Sequence, residues 1–109
     1  MSDRTASEFN LCPDIKLILQ IKAEGQLAPL KIFITYLNED NINSITVYPH
    51  FKNKDPVKSD PHYLNPRAIV VESSHIDQRT FKNTFDTPYV YITIYPQTES
   101  RIRVFPQFG

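Results

Sequence analysis

Hydrophobic and polar residues alternate along much of the chain, most regularly near its C-terminal end. From Tyr89 to Tyr95, aliphatic residues at even positions alternate with tyrosines and a threonine at odd positions. A polar break at 96–100 follows, and the alternation resumes from Arg101 to Phe105. A period of two is typical of a strand with one face in a core. Two such runs joined by a short polar loop predict an antiparallel hairpin.

Shorter apolar runs predict four further strands. They cover 15–23, 30–36, 44–48 and 68–72. The first three alternate, whereas the β-branched run at 68–72 is continuous, which indicates a strand covered on both sides. Residues 50–66 contain three X-Pro pairs. Because the residue before a proline disfavours helix, we predict a long irregular loop there.

The remaining segments are polar or irregular. A second polar loop is predicted at 73–79, followed by a weak strand or turn between Phe81 and Phe85. Residues 1–13 lack a period and are interpreted as a flexible leader before a single domain at 14–109. No segment keeps apolar residues at helical spacing over three turns. Seven or eight short strands therefore predict an all-β, antiparallel β-sandwich without substantial helix.

Charge and cysteine content narrow the classes of function. Twelve basic and twelve acidic side chains give a formal net charge of zero, whereas nucleic-acid binding normally requires a basic surface. The one cysteine, Cys12, has no internal disulfide partner. The sequence begins without a run typical of a signal peptide, and no apolar stretch is long enough to cross a bilayer. We expect no nucleic-acid partner, no transmembrane segment and an intracellular location, cytoplasmic or cytoskeleton-associated.

Residues that often carry chemistry do not form a known motif here. The three histidines lie in predicted loops without the spacing of a zinc site, and a site from Asp60, His62 and His75 would require two loops to converge. Loop carboxylates could bind calcium, but they lack the spacing of a calcium loop and suit turns equally well. Cys12 has no predicted neighbouring base to activate it. We predict no enzymatic activity, no cofactor and no metal site.

A stripe of tyrosines is the most distinctive surface feature. Tyr89, Tyr91 and Tyr95 face away from the aliphatic residues of their strand, and Arg101 and Arg103 occupy the matching face of the next strand. In a hairpin, Arg–Tyr stacking would cover this surface and contribute about 0.5–1 kcal/mol per pair. The alternative is a partner-binding face, because Tyr and Arg are enriched at interface hot spots. These five residues are the predicted partner-binding site.

The order of segments resembles the pre-peptidase C-terminal domain family. The shared order, over Leu30 to Phe105, is an apolar strand, S-I-T-V-Y, a long proline-containing loop, another apolar strand, P-Y-V-Y-I-T-I-Y and R-I-R-V-F. The resemblance implies a compact, jelly-roll-like β-sandwich with an accessory role. Tyr48 fits the family pattern, but Ser44 and Thr46 stand where that pattern has aspartates sometimes linked to calcium. Members of the family are commonly secreted, whereas this sequence offers no export signal, so we interpret the chain as a diverged relative adapted to intracellular protein contacts.

Two functions follow from these observations. The first is a non-catalytic protein–protein interaction or accessory module, part of a larger intracellular protein or assembly. The alternative is a ligand-binding domain for calcium, phospholipid or carbohydrate that uses the loop at 50–66. Exposed edge strands would also permit self-association.

Overall fold

The computed structural model describes residues 1–38, 45–51, 55–72 and 85–109. Within these ranges the chain forms eight strands and no helix. The strands are β1 (Ser7–Leu11), β2 (Leu17–Lys22), β3 (Leu30–Tyr36), β4 (Ile45–His50), β5 (Tyr63–Leu64), β6 (Ala68–Val71), β7 (Tyr89–Pro96) and β8 (Ser100–Phe108).

The strands form two four-stranded antiparallel sheets that stack into a sandwich. The first sheet has the order β1-β8-β3-β6, and the second has the order β2-β7-β4-β5. Consecutive strands alternate between the sheets except for β4 and β5, which pair with each other. This order is that of an eight-stranded jelly roll. The predicted all-β, antiparallel, jelly-roll-like sandwich is confirmed.

The core lies between the two sheets and consists mainly of aliphatic side chains at alternate strand positions. On β7, Val90, Ile92 and Ile94 are fully buried. They face the alternate buried residues of β8 and β3, among them Ile102 and Ile32. Because each strand turns every second side chain inward, the intervening residues form the two outer faces of the sandwich.

The predicted hairpin between β7 and β8 is wrong. β7 pairs with β2 and β4, whereas β8 pairs with β1 and β3. The polar break between them therefore carries the chain from one sheet to the other. Alternation shows that each run buries one face, but two runs can share a core by stacking across a sandwich as well as by pairing side by side.

The segment interpreted as a flexible leader contains a strand, so that prediction is also wrong. β1 pairs with β8 over five residues, and Leu11 is buried in the core. Ahead of β1, the amide of Arg4 donates to the carbonyl of Pro106 at 2.7 Å, and the amide of Lys22 donates to the carbonyl of Met1 at 3.1 Å. These contacts with distant strands order a segment whose local pattern is too short to predict a strand.

Two predictions for the middle of the chain need correction. β6 alternates, since Ile69 and Val71 are buried while Val70 is 49% exposed, so it is not covered on both sides. β-branched residues suit either face of a strand, which is why the run did not reveal the alternation. The irregular loop at 50–66 also contains the short strand β5, and β4 extends to His50. The predicted loop at 73–79 and the weak strand from Phe81 lie outside the described residues.

Candidate interaction surface on the second sheet

The three predicted tyrosines line the outer face of the second sheet along its inner strand β7. Strand register places Lys22 and Gln20 of β2 opposite Tyr89 and Tyr91. On the other side of β7, His50 lies opposite Tyr91. The tyrosine stripe thus forms the middle of a wider surface to which β2 and β4 contribute side chains.

Rings from β4 and from the loop before β5 extend the stripe into two neighbouring clusters of three contacting rings each. His50 stacks on Tyr91 with ring centroids 5.8 Å apart and an angle of 25° between the planes. Tyr48 meets Tyr95 edge-on at 5.6 Å, and His62 lies 5.1 Å from Tyr48. We call this surface the aromatic face; its members are Tyr48, His50, His62, Tyr89, Tyr91 and Tyr95.

Polar contacts hold two rings of the aromatic face, those of His50 and Tyr91, in place. Thr93 points outward from β7 yet is fully buried beneath its neighbours. Its hydroxyl lies 2.8 Å from Nε2 of His50. At the β2 side, the side-chain amide Nε2 of Gln20 donates to the hydroxyl of Tyr91 at 3.2 Å. Rings fixed in this way lose little conformational freedom when a partner binds, which favours affinity.

The structure separates the two predicted arginines from the tyrosines. Arg101 and Arg103 lie on the outer face of the first sheet, because β8 belongs to that sheet. Arg103 donates to Glu8 of β1 at 2.7 Å, and Arg101 lies 3.5 Å from the same carboxylate. The hydrogen bond from Arg103 lowers the pKa of Glu8. The predicted Arg–Tyr stacking is therefore wrong, and the five predicted residues form two groups on opposite faces.

Sequence analysis missed Tyr48, His50 and His62 as members of the aromatic face. The sequence predicts loops at all three histidines, whereas in the structure His50 is the last residue of β4. The alternation along β4 could have placed Tyr48 and His50 on the outer face. They stand at even positions, whereas the inward Ile45 and Val47 stand at odd positions. No comparable signal exists for His62, which reaches Tyr48 only because β5 pairs with β4.

The described part of the chain offers little for metal or catalytic chemistry. None of its His, Cys, Asp and Glu side chains form a group of three that could hold a metal ion. Nδ1 of His62 lies 3.1 Å from the carbonyl of Asp60. His75, the third residue of the hypothetical zinc site, lies outside the described residues. Across the described ranges, no helix has the length and apolar character needed to cross a membrane.

Comparison with known proteins supports the fold but gives no information on function. No family model and no curated protein sequence matches the chain. The structure is similar to the crystal structure of the Yersinia pseudotuberculosis-derived mitogen (YPM), with a TM-score of 0.57 over 96% of this chain and 85% of that chain. The two sequences are 8% identical. A likeness at this level of identity concerns architecture alone.

Proposed function

We propose that the chain is a non-catalytic interaction module that binds another protein through the aromatic face. The observation that carries this proposal is a pair of three-ring clusters on the solvent side of the second sheet, one of Tyr89, Tyr91 and His50 and one of Tyr95, Tyr48 and His62. Tyrosine provides large contact area at low entropic cost and is enriched at interface hot spots. The resemblance to pre-peptidase C-terminal domains implies an accessory role, which we place within a larger intracellular protein or assembly.

The orientation of the rings favours a protein over a carbohydrate as the partner. A sugar ring stacks best on aromatic rings that lie flat and present their faces to solvent. Here the planes of Tyr48 and Tyr95 stand at 87° and those of Tyr89 and Tyr91 at 52°, so although His50 and Tyr91 stack at 25°, the tyrosine planes do not share one orientation. This ridged surface offers edges, faces and hydroxyl groups at different angles, which suits the irregular side-chain surface of a protein.

The loop at 50–66 gives little support to the alternative of a calcium-binding domain. Of its acidic side chains, Asp55 accepts a hydrogen bond from Lys16. Asp60 accepts one from the amide of Val57 at 2.8 Å. Both carboxylates therefore have internal partners, and within the described part of the loop neither belongs to a group of three His, Cys, Asp or Glu side chains that could hold a metal ion.

The location proposed for the module is intracellular. Cys12 is an exposed free thiol, and reducing compartments preserve such thiols.

Affinity capture with variants on opposite faces tests the proposal. The purified chain is immobilised, captures proteins from an extract of its source, and the bound proteins are quantified by mass spectrometry. Tyr91→Ala should lower capture of a specific partner by about 30-fold, equivalent to a hot-spot loss of about 2 kcal/mol. Arg103→Ala is the matched control on the other outer face and should retain capture. Circular dichroism and thermal unfolding show that both variants are folded.

Either of two results would contradict the proposal. If folded Tyr91→Ala and Tyr48→Ala capture the same proteins as the unmodified chain, the aromatic face is not the binding site. If the unmodified chain captures nothing above a blank support and does not self-associate in sedimentation, an interaction function is wrong.

A further inference from the structure

A cleft continues the aromatic face past Tyr95 at the end of β7. Its volume is about 470 Å³. It lies between the turn that precedes β2 and the turn that follows β7. The residues that line it are Asp14, Ile15, Lys16, Tyr95, Pro96 and Gln97. Because Tyr95 belongs to both surfaces, a partner seated on the aromatic face would extend directly over this cleft.

One wall of the cleft is apolar and unusually open. Ile15 is 64% exposed, although it stands beside strands whose isoleucines are mostly buried. The half-buried Tyr95 and the buried Pro96 also line the cleft. A long side chain could bury its methylene groups between these residues and keep a polar head at the rim, as lysine and arginine do on apolar surfaces.

The charges around the cleft favour a cationic head group. Lys16 donates a hydrogen bond to Asp55, which raises the pKa of Lys16 and offsets its charge. Within the described residues, the carboxylate of Asp14 makes no hydrogen bond or ion pair. Asp14 is held at the rim because its amide lies 3.4 Å from the carbonyl of Pro96. Among the described residues, Asp14 is therefore a carboxylate at the rim of the cleft that stands apart from the Lys16–Asp55 ion pair.

We propose that this cleft receives an arginine side chain of the partner protein, with the guanidinium at Asp14 and the side-chain plane against Tyr95. Arginine fits better than lysine because its planar head binds a carboxylate through two hydrogen bonds and stacks on an aromatic ring at the same time. The inference rests on the proposed function, since it identifies a feature of the protein that the aromatic face binds.

Peptide titration monitored by NMR tests the inference without the natural partner. An acetylated and amidated Gly-Arg-Gly peptide is titrated into the ¹⁵N-labelled full chain. The same peptide with citrulline, which has the same shape but no charge, is the ligand control. The arginine peptide should shift the amide signals of residues 14–16 and 95 and bind about fivefold more tightly than the citrulline peptide. Raising the ionic strength should reduce this difference, because salt screens exposed charges.

Two protein variants locate the charge that is responsible. Asp14→Asn should remove the preference for the arginine peptide. Asp86→Asn makes the same change in charge at an exposed carboxylate before the other end of β7 and should keep the preference. Equal binding of both peptides to the unmodified chain, or an unchanged preference in folded Asp14→Asn, would overturn the inference. Equal binding of a lysine peptide would overturn the choice of arginine.

The failure of this inference is distinguishable from failure of the proposed function. If Tyr91→Ala loses the captured partner while the cleft shows no preference for arginine, the interaction module stands and the arginine anchor is wrong. If the cleft prefers arginine but aromatic-face variants retain capture, the cleft binds as inferred and the proposed role of the aromatic face is wrong.

Discussion

Replacement of Ile92 with alanine tests the central place of β7 in the second sheet. Ile92 is fully buried, and strand register places it opposite Leu19 of β2 on one side and Pro49 of β4 on the other. Its side chain points between the sheets, toward the first sheet. With neighbours on every side, the surrounding structure has little freedom to close over the space that the substitution leaves.

The expected loss follows from this burial. Ile→Ala at a rigid core site costs about 3–5 kcal/mol, and Ile92→Val, which removes one methylene group, costs about 0.5–1.5 kcal/mol. A chain of 109 residues has a total stability of about 5–15 kcal/mol. Ile92→Ala should therefore remove a large share of the stability and lower Tm by roughly 10 °C or more.

Urea unfolding followed by circular dichroism measures these differences. Ile18→Ala is the matched control, because Ile18 lies on the adjacent strand but faces outward and is 40% exposed. It should cost less than about 1 kcal/mol. An equal loss of stability in folded Ile18→Ala and Ile92→Ala, at unchanged m-value, would refute the assignment of the inner and outer faces.

Two further predictions test the first sheet. In a Cys12→Ser background, the double variant Thr35→Cys, Arg103→Cys should form a disulfide on oxidation, because these positions lie opposite each other on β3 and β8. The double variant Thr93→Cys, Arg103→Cys should keep both thiols free in a thiol assay. A disulfide between positions 93 and 103 would contradict the topology. The hydrogen bond from Arg103 lowers the pKa of Glu8 below its usual 4.5, so the carboxylate stabilises the fold above pH 4.5 and this contribution is lost as pH falls through the lowered pKa. The stability difference between the unmodified chain and Glu8→Gln should therefore be present at neutral pH and disappear in acid; a difference independent of pH would show that the ion pair is not its cause.

The candidate site was only partly predictable. The parity of Tyr89, Tyr91 and Tyr95 within an alternating strand is sufficient to place them on a common outer face. Their ring partners Tyr48 and His50 required knowledge that β4 is the strand next to β7. Arg101 and Arg103 are close to the tyrosines in sequence, which predicts that they are neighbours. The chain crosses from one sheet to the other between them, so they lie on opposite faces.

The sequence by itself determined six of the eight described strands, all but β1 and β5, and for most of these six it determined which side chains face the core. β3 and β7 show this best. Their aliphatic residues at alternate positions are buried, and the residues between them are partly or fully exposed, except Thr93. Hydrophobic alternation is a local property, because each residue's preference for the core depends on its own side chain.

The tertiary structure alone decided how the strands pair. β1 became a strand through its contacts with β8, and β7 separated from β8 because each found its hydrogen-bonding partners in a different sheet. Pairing depends on which strand edges meet after the chain has crossed the core, and alternation within one run carries no information about that choice. The physical reason is that every strand carries the same backbone donors and acceptors, so the strand order depends on how side chains from distant segments pack together across the core.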